Sequence, residues 1–311
     1  MTFSHVPVLL DEVMHFLAPE RGGIFVDGTL GGGGHAEALL SRLPATGRLV
    51  GIDRDWEALA AAGERLRPFG GRFTAIHGNF FDLPQLLASL DIRGVDGILF
   101  DFGVSSHQLD TAERGFSYHA DAPLDMRMDR TAPLTARDVV NGYSFEQLCR
   151  ILREYGEERF ASRIADRIVR ERQRSPIETT AELAALVRAA MPKKSRMEAQ
   201  HPARRTFQAI RIEVNGELAG LREAVDRAHE LLNPGGRLVI LTFHSLEDRM
   251  VKQKFAAYCQ GCTCPPDFPV CVCGKQPRAR LINRKPIEAD AEELAQNSRS
   301  KSAKLRILEK L

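Results

Sequence analysis

The chain has 311 residues, of which 43% are hydrophobic and 27% charged, with 25 Gly, 16 Pro and six Cys. These proportions exclude a wholly disordered chain, a collagen-like fibre and a disulfide miniprotein, and they suit one or two domains. The net charge of +2 is uneven, −6 over residues 1–110 and +8 over the remainder. That split fits a cofactor-binding first part and a basic remainder facing a polyanion, though two ordinary solvated surfaces also produce it. No apolar run approaches the roughly 18 residues of a membrane helix. Residues 1–11 lack the basic and apolar regions of an export signal, so the expected address is the cytoplasm, with no membrane partner and with cysteines kept as thiols or metal ligands.

In chain order, Gly23-Ile-Phe-Val-Asp27 is a short apolar run ending in an acid, followed by a glycine cluster and a helical pattern to Leu43. Gly47-Arg-Leu-Val-Gly-Ile-Asp53 repeats the arrangement, with a helix through Arg67. Arg72-Phe-Thr-Ala-Ile-His77 and Val95-Asp-Gly-Ile-Leu-Phe-Asp101 are the third and fourth runs, separated by a helix over 83–90. Apolar runs alternating with helices predict parallel βαβ units. The alternation stops over 104–214, where helices are expected at 144–155, 157–174 and 180–190, the last opened by a capping box of Thr179 and Glu182. A stretch of that length is too long for a loop and reads as an inserted helical subdomain. The α/β pattern resumes with a helix over 217–232, a stop at Asn233-Pro-Gly-Gly236 and a fifth strand at 237–243. A helix capped by Ser245 and Asp248 runs to Tyr258, and short strands are expected at 280–282 and 304–308.

Five features carry chemistry. Asp27-Gly-Thr-Leu-Gly-Gly-Gly-Gly-His35 is a glycine-rich turn between the first strand and helix, where a backbone approaches a ligand closely and a helix start offers free N–H groups. It lacks the Gly-Lys-Ser/Thr of a P-loop, and Gly31 to Ala36 fits G-x-G-x-x-A, so a dinucleotide reading stays open beside a purely structural turn. Asp27, Gly31, Gly33, Gly34 and His35 are the candidate cofactor residues of this turn. Asp53 stands 22 residues after Gly31 at the end of the second strand, where a carboxylate accepts ribose hydroxyls of NAD or S-adenosylmethionine. Its competing role, capping the next helix, is equally open to Asp55. Phe80 could pack on an adenine face or simply in the core.

Asp101-Phe-Gly-Val-Ser-Ser-His-Gln108 gathers an acid, two hydroxyls, an imidazole and an amide beyond the fourth strand, the place where open α/β sheets bind ligands. Serine hydrolysis is disfavoured because G-x-S-x-G is absent. Glu113-Arg-Gly-Phe-Ser-Tyr118 and Pro123-Leu-Asp-Met-Arg-Met-Asp129 mix aromatic, Arg and Met residues in a loop. They suggest Arg114, Phe116 and Arg127 as contacts to base and phosphate, against a loop packed on its own side chains. The run 188–211 holds seven Lys or Arg and one acid. It nominates Arg204 and Arg205 for phosphate contact, unless it is only a solvated helix face. Cys259-x2-Cys262-x-Cys264-x6-Cys271-x-Cys273 places five thiols in 15 residues. Cys262, Cys264, Cys271 and Cys273 could close a structural zinc site, with free or redox-active thiols as the alternative.

Longer strings tie these features together: His5-Val-Pro-Val-Leu9, Asp27-Gly-Thr-Leu-Gly31, Gly51-Ile-Asp-Arg54, Gly103-Val-Ser-Ser106, Glu113-Arg-Gly-Phe-Ser117, Tyr155-Gly-Glu-Glu158, His201-Pro-Ala-Arg-Arg-Thr-Phe207, Phe243-His-Ser-Leu-Glu-Asp-Arg249 and Lys301-Ser-Ala-Lys-Leu-Arg306. Over nearly the whole chain the sequence resembles the RsmH (MraW) family, bacterial S-adenosylmethionine-dependent N4-cytidine methyltransferases of small-subunit ribosomal RNA. The resemblance implies an α/β fold: a Rossmann-like S-adenosylmethionine-dependent methyltransferase sheet over 1–103 and 215–311, with an inserted helical substrate-recognition subdomain over 104–214. It implies methylation of a single cytidine in the decoding region of 16S rRNA, in the small ribosomal subunit or its precursor. No DNA partner is expected. Family cofactor contacts map onto Gly33, Gly34, His35, Asp53, Phe80, Asp101 and Gln108, and His244 joins the expected substrate contacts. Because the cytosine amine is a weak nucleophile, catalysis is expected to align it and surround its hydrogens with acceptors: Asp101 first, then Ser105, Ser106 and His107.

Overall fold

Each of the acid-ended apolar runs is a strand in the computed structural model, which describes residues 7–193, 195, 201–264, 270 and 272–311. The chain divides into two units, Met1–Gly103 with Ala219–Leu311, and Val104–Leu218. The sequence places the return to the first unit at 215. The contacts place it at Ala219, because the Glu217 carboxylate is held by Arg211 of the second unit at 2.9 Å.

The first unit runs α1 (Leu10–Leu17), β1 (Ile24–Asp27), α2 (Gly34–Arg42), β2 (Arg48–Asp53), α3 (Trp56–Leu66), β3 (Phe73–His77), α4 (Leu83–Ala88) and β4 (Val95–Asp101). The second contains α5 (Ser106–Asp110), α6 (Ala136–Gly142), α7 (Phe145–Glu154), α8 (Ala161–Arg172), α9 (Thr180–Ala190) and α10 (Arg204–Asn215). The first resumes with α11 (Leu221–Leu231), β5 (Leu232–Thr242), α12 (Ser245–Cys259), β6 (Ala279–Leu281), α13 (Ala291–Gln296) and β7 (Lys304–Lys310).

Among the described residues the strands form one sheet in the order β3-β2-β1-β4-β5-β7-β6. The first five strands are parallel and β7 is antiparallel to β5 and β6. This is a Rossmann-like α/β sheet of the methyltransferase type expected from the sequence. Strand order reverses between β1 and β4, and such a switch point opens a crevice at the carboxyl ends of the strands. Asp27, Asp53 and Asp101 are the last residues of β1, β2 and β4, so the topology lines three carboxylates along that edge. The strands are apolar because the sheet is covered on both faces; Val26, Leu49, Ile52, Ile98, Leu99, Val239 and Ile240 are all buried.

Helix ends follow local chemistry. Asp55 caps α3 through the Glu57 amide at 3.0 Å, which leaves Asp53 for other work. Reciprocal capping boxes open α6, α7 and α9 with Thr135, Ser144 and Thr179. These helices close on a core of their own that includes Val139, Leu148, Ile151, Ile164, Leu183 and Ile210. The cap of α12 is His244 with Glu247, one residue before the expected Ser245 and Asp248. Five helices were not foreseen, the short α5, α6 and α13 among them. α1 lies between Leu9 and Ala18, both left-handed and neither making a side-chain cap, and α10 lies inside the basic run. Among the described residues no helix is long and apolar enough to cross a membrane.

Replacing Thr179 by Ala removes the hydroxyl that accepts from the Glu182 amide. Urea unfolding should show a loss of about 1 kcal/mol, with circular dichroism of the native state unchanged.

Candidate active site

β1 delivers the chain into the glycine turn with little slack. The Gly28 N–H donates to the Leu99 carbonyl and the Leu30 N–H to that of Ile52, pinning the turn across the ends of β4 and β2. A Cβ on Gly28 would sit 2.4 Å from the Phe100 ring, so this position accepts no side chain. Gly33 has φ +77 and is the residue from which α2 starts, a conformation that other residues adopt only with strain. Among these residues the amide of Gly31 donates to Asp53 Oδ2 at 2.7 Å, while the Asp55 amide donates to Asp53 Oδ1 at 2.9 Å. Asp53 therefore braces the turn, and each of its oxygens keeps a second lone pair for a hydroxyl.

Two further carboxylates face one another at the switch point. Asp27 is buried and accepts from the Thr29 amide at 3.1 Å. Burial, with the negative charge of Asp53 nearby, pushes its pKa up to about 7. Thr29 reaches across to β4, its hydroxyl accepting from the Asp101 N–H at 2.6 Å. The Asp101 side chain has no such help: its Oδ1 is sealed from water and has no hydrogen-bond partner. Burial first, then the charges of Asp27 and Glu247, push its pKa up to about 8. Burial likewise holds Asp53 above the usual carboxylate range.

His35 completes the group. It is buried, its Nε2–H donates to the Val8 carbonyl at 3.0 Å, and burial pushes its pKa down to about 4. A neutral ring protonated at Nε2 turns the Nδ1 lone pair toward Asp101 Oδ2, 3.8 Å away. Two acceptors tolerate that placement because the acid is itself protonated near neutral pH. Phe80 lies just past β3 against Phe100 and Phe102, with centroids 4.9 and 5.6 Å apart, and forms an apolar wall to the same crevice.

An adenosyl group with a sulfonium suits these residues. A side-chain-free glycine turn, a braced carboxylate with spare lone pairs, an aromatic wall and an unpartnered buried oxygen are what the ribose, adenine and cation require. Thr29 and Glu247 were not singled out from sequence. Thr29 was visible inside the glycine motif and Glu247 inside the His-Ser-Leu-Glu string, but their relation to Asp101 depends on strand pairing.

Several expected site residues have structural duties instead. The Ser105 hydroxyl and Gln108 amide are joined in the capping box of α5, at 3.2 and 3.0 Å, and Ser106 is the first residue of that helix. Arg114 is 1% exposed, and its Nη2 donates to the carbonyls of Arg127 and Met128 at 2.9 and 3.0 Å. It has no surface for a phosphate, which corrects its assignment. Phe116 is buried in the second unit's core and is not a stacking platform. Arg127 is held by Asp125 at 2.7 Å and by the carbonyls of Arg130 and Ala132, so it closes a loop rather than presenting a free charge. His244 caps α12 and lies 3.1 Å from Glu247 Oε1. Of the basic run, Arg205 is exposed with one bond to the Glu157 carbonyl, and Arg204 is half-buried.

A family model described as the MraW methylase family matches residues 2–311. The chain belongs to that family. It is 56% identical over 311 residues to the ribosomal RNA small subunit methyltransferase H of Symbiobacterium thermophilum, covering 100% of this chain and 98% of the relative. The protein of the same name from Geobacter sulfurreducens is 54% identical, with both chains covered completely at 100%. Membership makes the chain a methylase of this family.

Two outcomes check this geometry. The unfolded chain ionises Asp101 near its ordinary value of 3.8, whereas the native protein keeps it protonated up to about 8. Native stability therefore falls as pH rises through that window. Asp101→Asn should raise the melting temperature near pH 8 and change it far less at about pH 4. Arg114→Ala should cost about 1–3 kcal/mol in urea unfolding through its orphaned carbonyls, whereas Arg205→Ala should leave stability within roughly 0.5 kcal/mol of the parent.

Proposed function

We propose that this protein transfers a methyl group from S-adenosylmethionine to the exocyclic N4 of a single cytidine in the decoding region of 16S rRNA. The substrate is the small ribosomal subunit or its precursor, in the cytoplasm. The observation that carries the reading is the row of carboxylates at the ends of β1, β2 and β4 around a glycine turn, in a chain matched end to end by a methylase family.

The donor, when bound, supplies an electrophilic methyl carbon and a good leaving group. Asp53 accepts the ribose hydroxyls, and Phe80 flanks the adenine. The Asp101 carboxyl is the acceptor for a proton of the target amine. N4 shares its lone pair with the ring, so it attacks only when positioned in line and relieved of a proton as the new C–N bond forms. A positive charge brought beside Asp101 lowers its pKa from about 8, so the acid ionises when a cation enters the crevice. The neutral His35 ring behind it positions the carboxyl. Cysteine nucleophilic attack on the pyrimidine ring is not required for reaction at an exocyclic amine. The target base must leave its stack to reach such a crevice. Arg204 and Arg205 of the second unit are the proposed phosphate contacts.

Labelled S-adenosylmethionine, the purified chain and small subunits from a strain lacking this activity test the reading. One cytidine should gain label, recovered as N4-methylcytidine by mass spectrometry of nuclease digests. No label in rRNA, or label on a different atom, overturns it. Asp53→Ala should raise the donor KM with kcat nearly kept. Asp101→Ala should lower kcat by about 10²–10⁴-fold while donor binding persists, and unchanged turnover would remove it from the mechanism.

A further inference from the structure

The segment between α12 and β6 has little of what ordinarily holds a chain in place. Among the described residues of 260–278 there is no helix, no strand and no buried side chain. Val270 and Val272 are 69% and 73% exposed. Described residues that bury so little side chain do little to offset their ordering entropy, and a staple would supply what is missing.

Three thiols nevertheless converge there. The sulfurs of Cys262, Cys264 and Cys273 all lie within 4.8 Å of one another, although the first and last are eleven positions apart in the chain. None of the described cysteines is in a disulfide. Cys262 and Cys273 have their sulfurs 3.7 Å apart. A tetrahedral zinc with Zn–S bonds of about 2.3 Å sets sulfur–sulfur edges of roughly 3.8 Å, whereas a disulfide would need about 2.05 Å. The 3.7 Å separation fits a coordination edge and excludes a disulfide, and the third sulfur lies within 4.8 Å of both. Two backbone amides also turn toward the sulfurs, Thr263 N–H to Cys273 Sγ at 3.5 Å and Cys264 N–H to Cys262 Sγ at 3.4 Å. Amide donors of this kind stabilise negative charge on sulfur and orient the ligand.

We propose that Cys262, Cys264 and Cys273 bind a zinc ion that staples this segment, in a site separate from the methyl-transfer chemistry. The ligands are thiolates, so binding releases one proton for each thiol that was protonated and involves no oxidant or reductant. The three sulfurs leave one position of the tetrahedron for a further ligand. Cys271, which the sequence nominates as a fourth thiol, lies outside the described residues and is not part of the proposed site. Thiolate sulfur selects zinc over magnesium or calcium. Binding free energy here acts as folding free energy for a segment with no core.

The test reads metal, not methyl transfer, so its failure is distinguishable from failure of the proposed function. The full chain, purified under reducing conditions from zinc-containing medium, should carry about one zinc by elemental analysis. With cobalt(II) in place of zinc it should show the strong thiolate charge-transfer and tetrahedral d–d bands. Cys264→Ser and Cys273→Ser should each lower retained zinc at least about tenfold, with far-ultraviolet circular dichroism unchanged. Cys149→Ala, in the second unit, should retain it. Chelation should speed proteolytic cleavage within 260–278 and nowhere else. A reduced chain that holds no zinc after reconstitution and gives no cobalt bands overturns the proposal. So does zinc content that the two serine variants leave unchanged.

Discussion

Two carboxylates are brought to neighbouring strand ends by the pairing of β1 with β4. Asp27 and Asp101 end neighbouring strands, and burial holds both acids well above their ordinary range. The rest of the first unit's edge accommodates that constraint. Glycine at position 28 lets the chain turn under Phe100, and Thr29 ties the two strand ends together through the Asp101 amide. His35 is kept neutral by its own burial, so it adds no competing cation beside the pair. A fold gains nothing in stability from an unpartnered buried oxygen such as Asp101 Oδ1. On the function proposed above, part of that cost is recovered when a positive ligand binds.

The second unit uses similar residue types for the opposite purpose. Its arginines at 114 and 127 do not await a polyanion. Arg114 Nη2 donates to two main-chain carbonyls and Arg127 pairs with Asp125, and the two fasten the loop between α5 and α6. A guanidinium removed from water must have such partners, and a loop rich in exposed carbonyls supplies them. On α10, by contrast, Arg205 is exposed. Composition alone does not separate these cases, because a phosphate and a ring of carbonyls recruit the same side chain.

Much of the architecture was legible because it is local. Strand limits at Val95–Asp101 and helix limits at Thr180–Ala190 follow from apolar periodicity and from the Thr179–Glu182 box. α1 was missed because left-handed Leu9 and Ala18, rather than polar caps, bound it. α10 was missed because its charges obscured its apolar face, and its buried Phe207, Ile210 and Val214 pack only in the folded unit. At the site, the glycine turn and Asp53 were readable from spacing. The partnership of Thr29 and Glu247 with Asp101 was not, since these residues meet only through strand order.

The amino-acid sequence by itself determined the elements, the carboxyl-ended strands, the glycine turn and the family, because each is written in short-range patterns or in contiguous strings. The tertiary structure decided which polar groups face a ligand and which hold the protein together. Burial and hydrogen-bond partners assign those roles, and both arise from residues distant in the chain. Asp101 and Arg114 look equally functional in one dimension. In three, the Asp101 carboxyl keeps an unpartnered oxygen at the strand edge, whereas Arg114 is buried with its Nη2 bonded to two main-chain carbonyls.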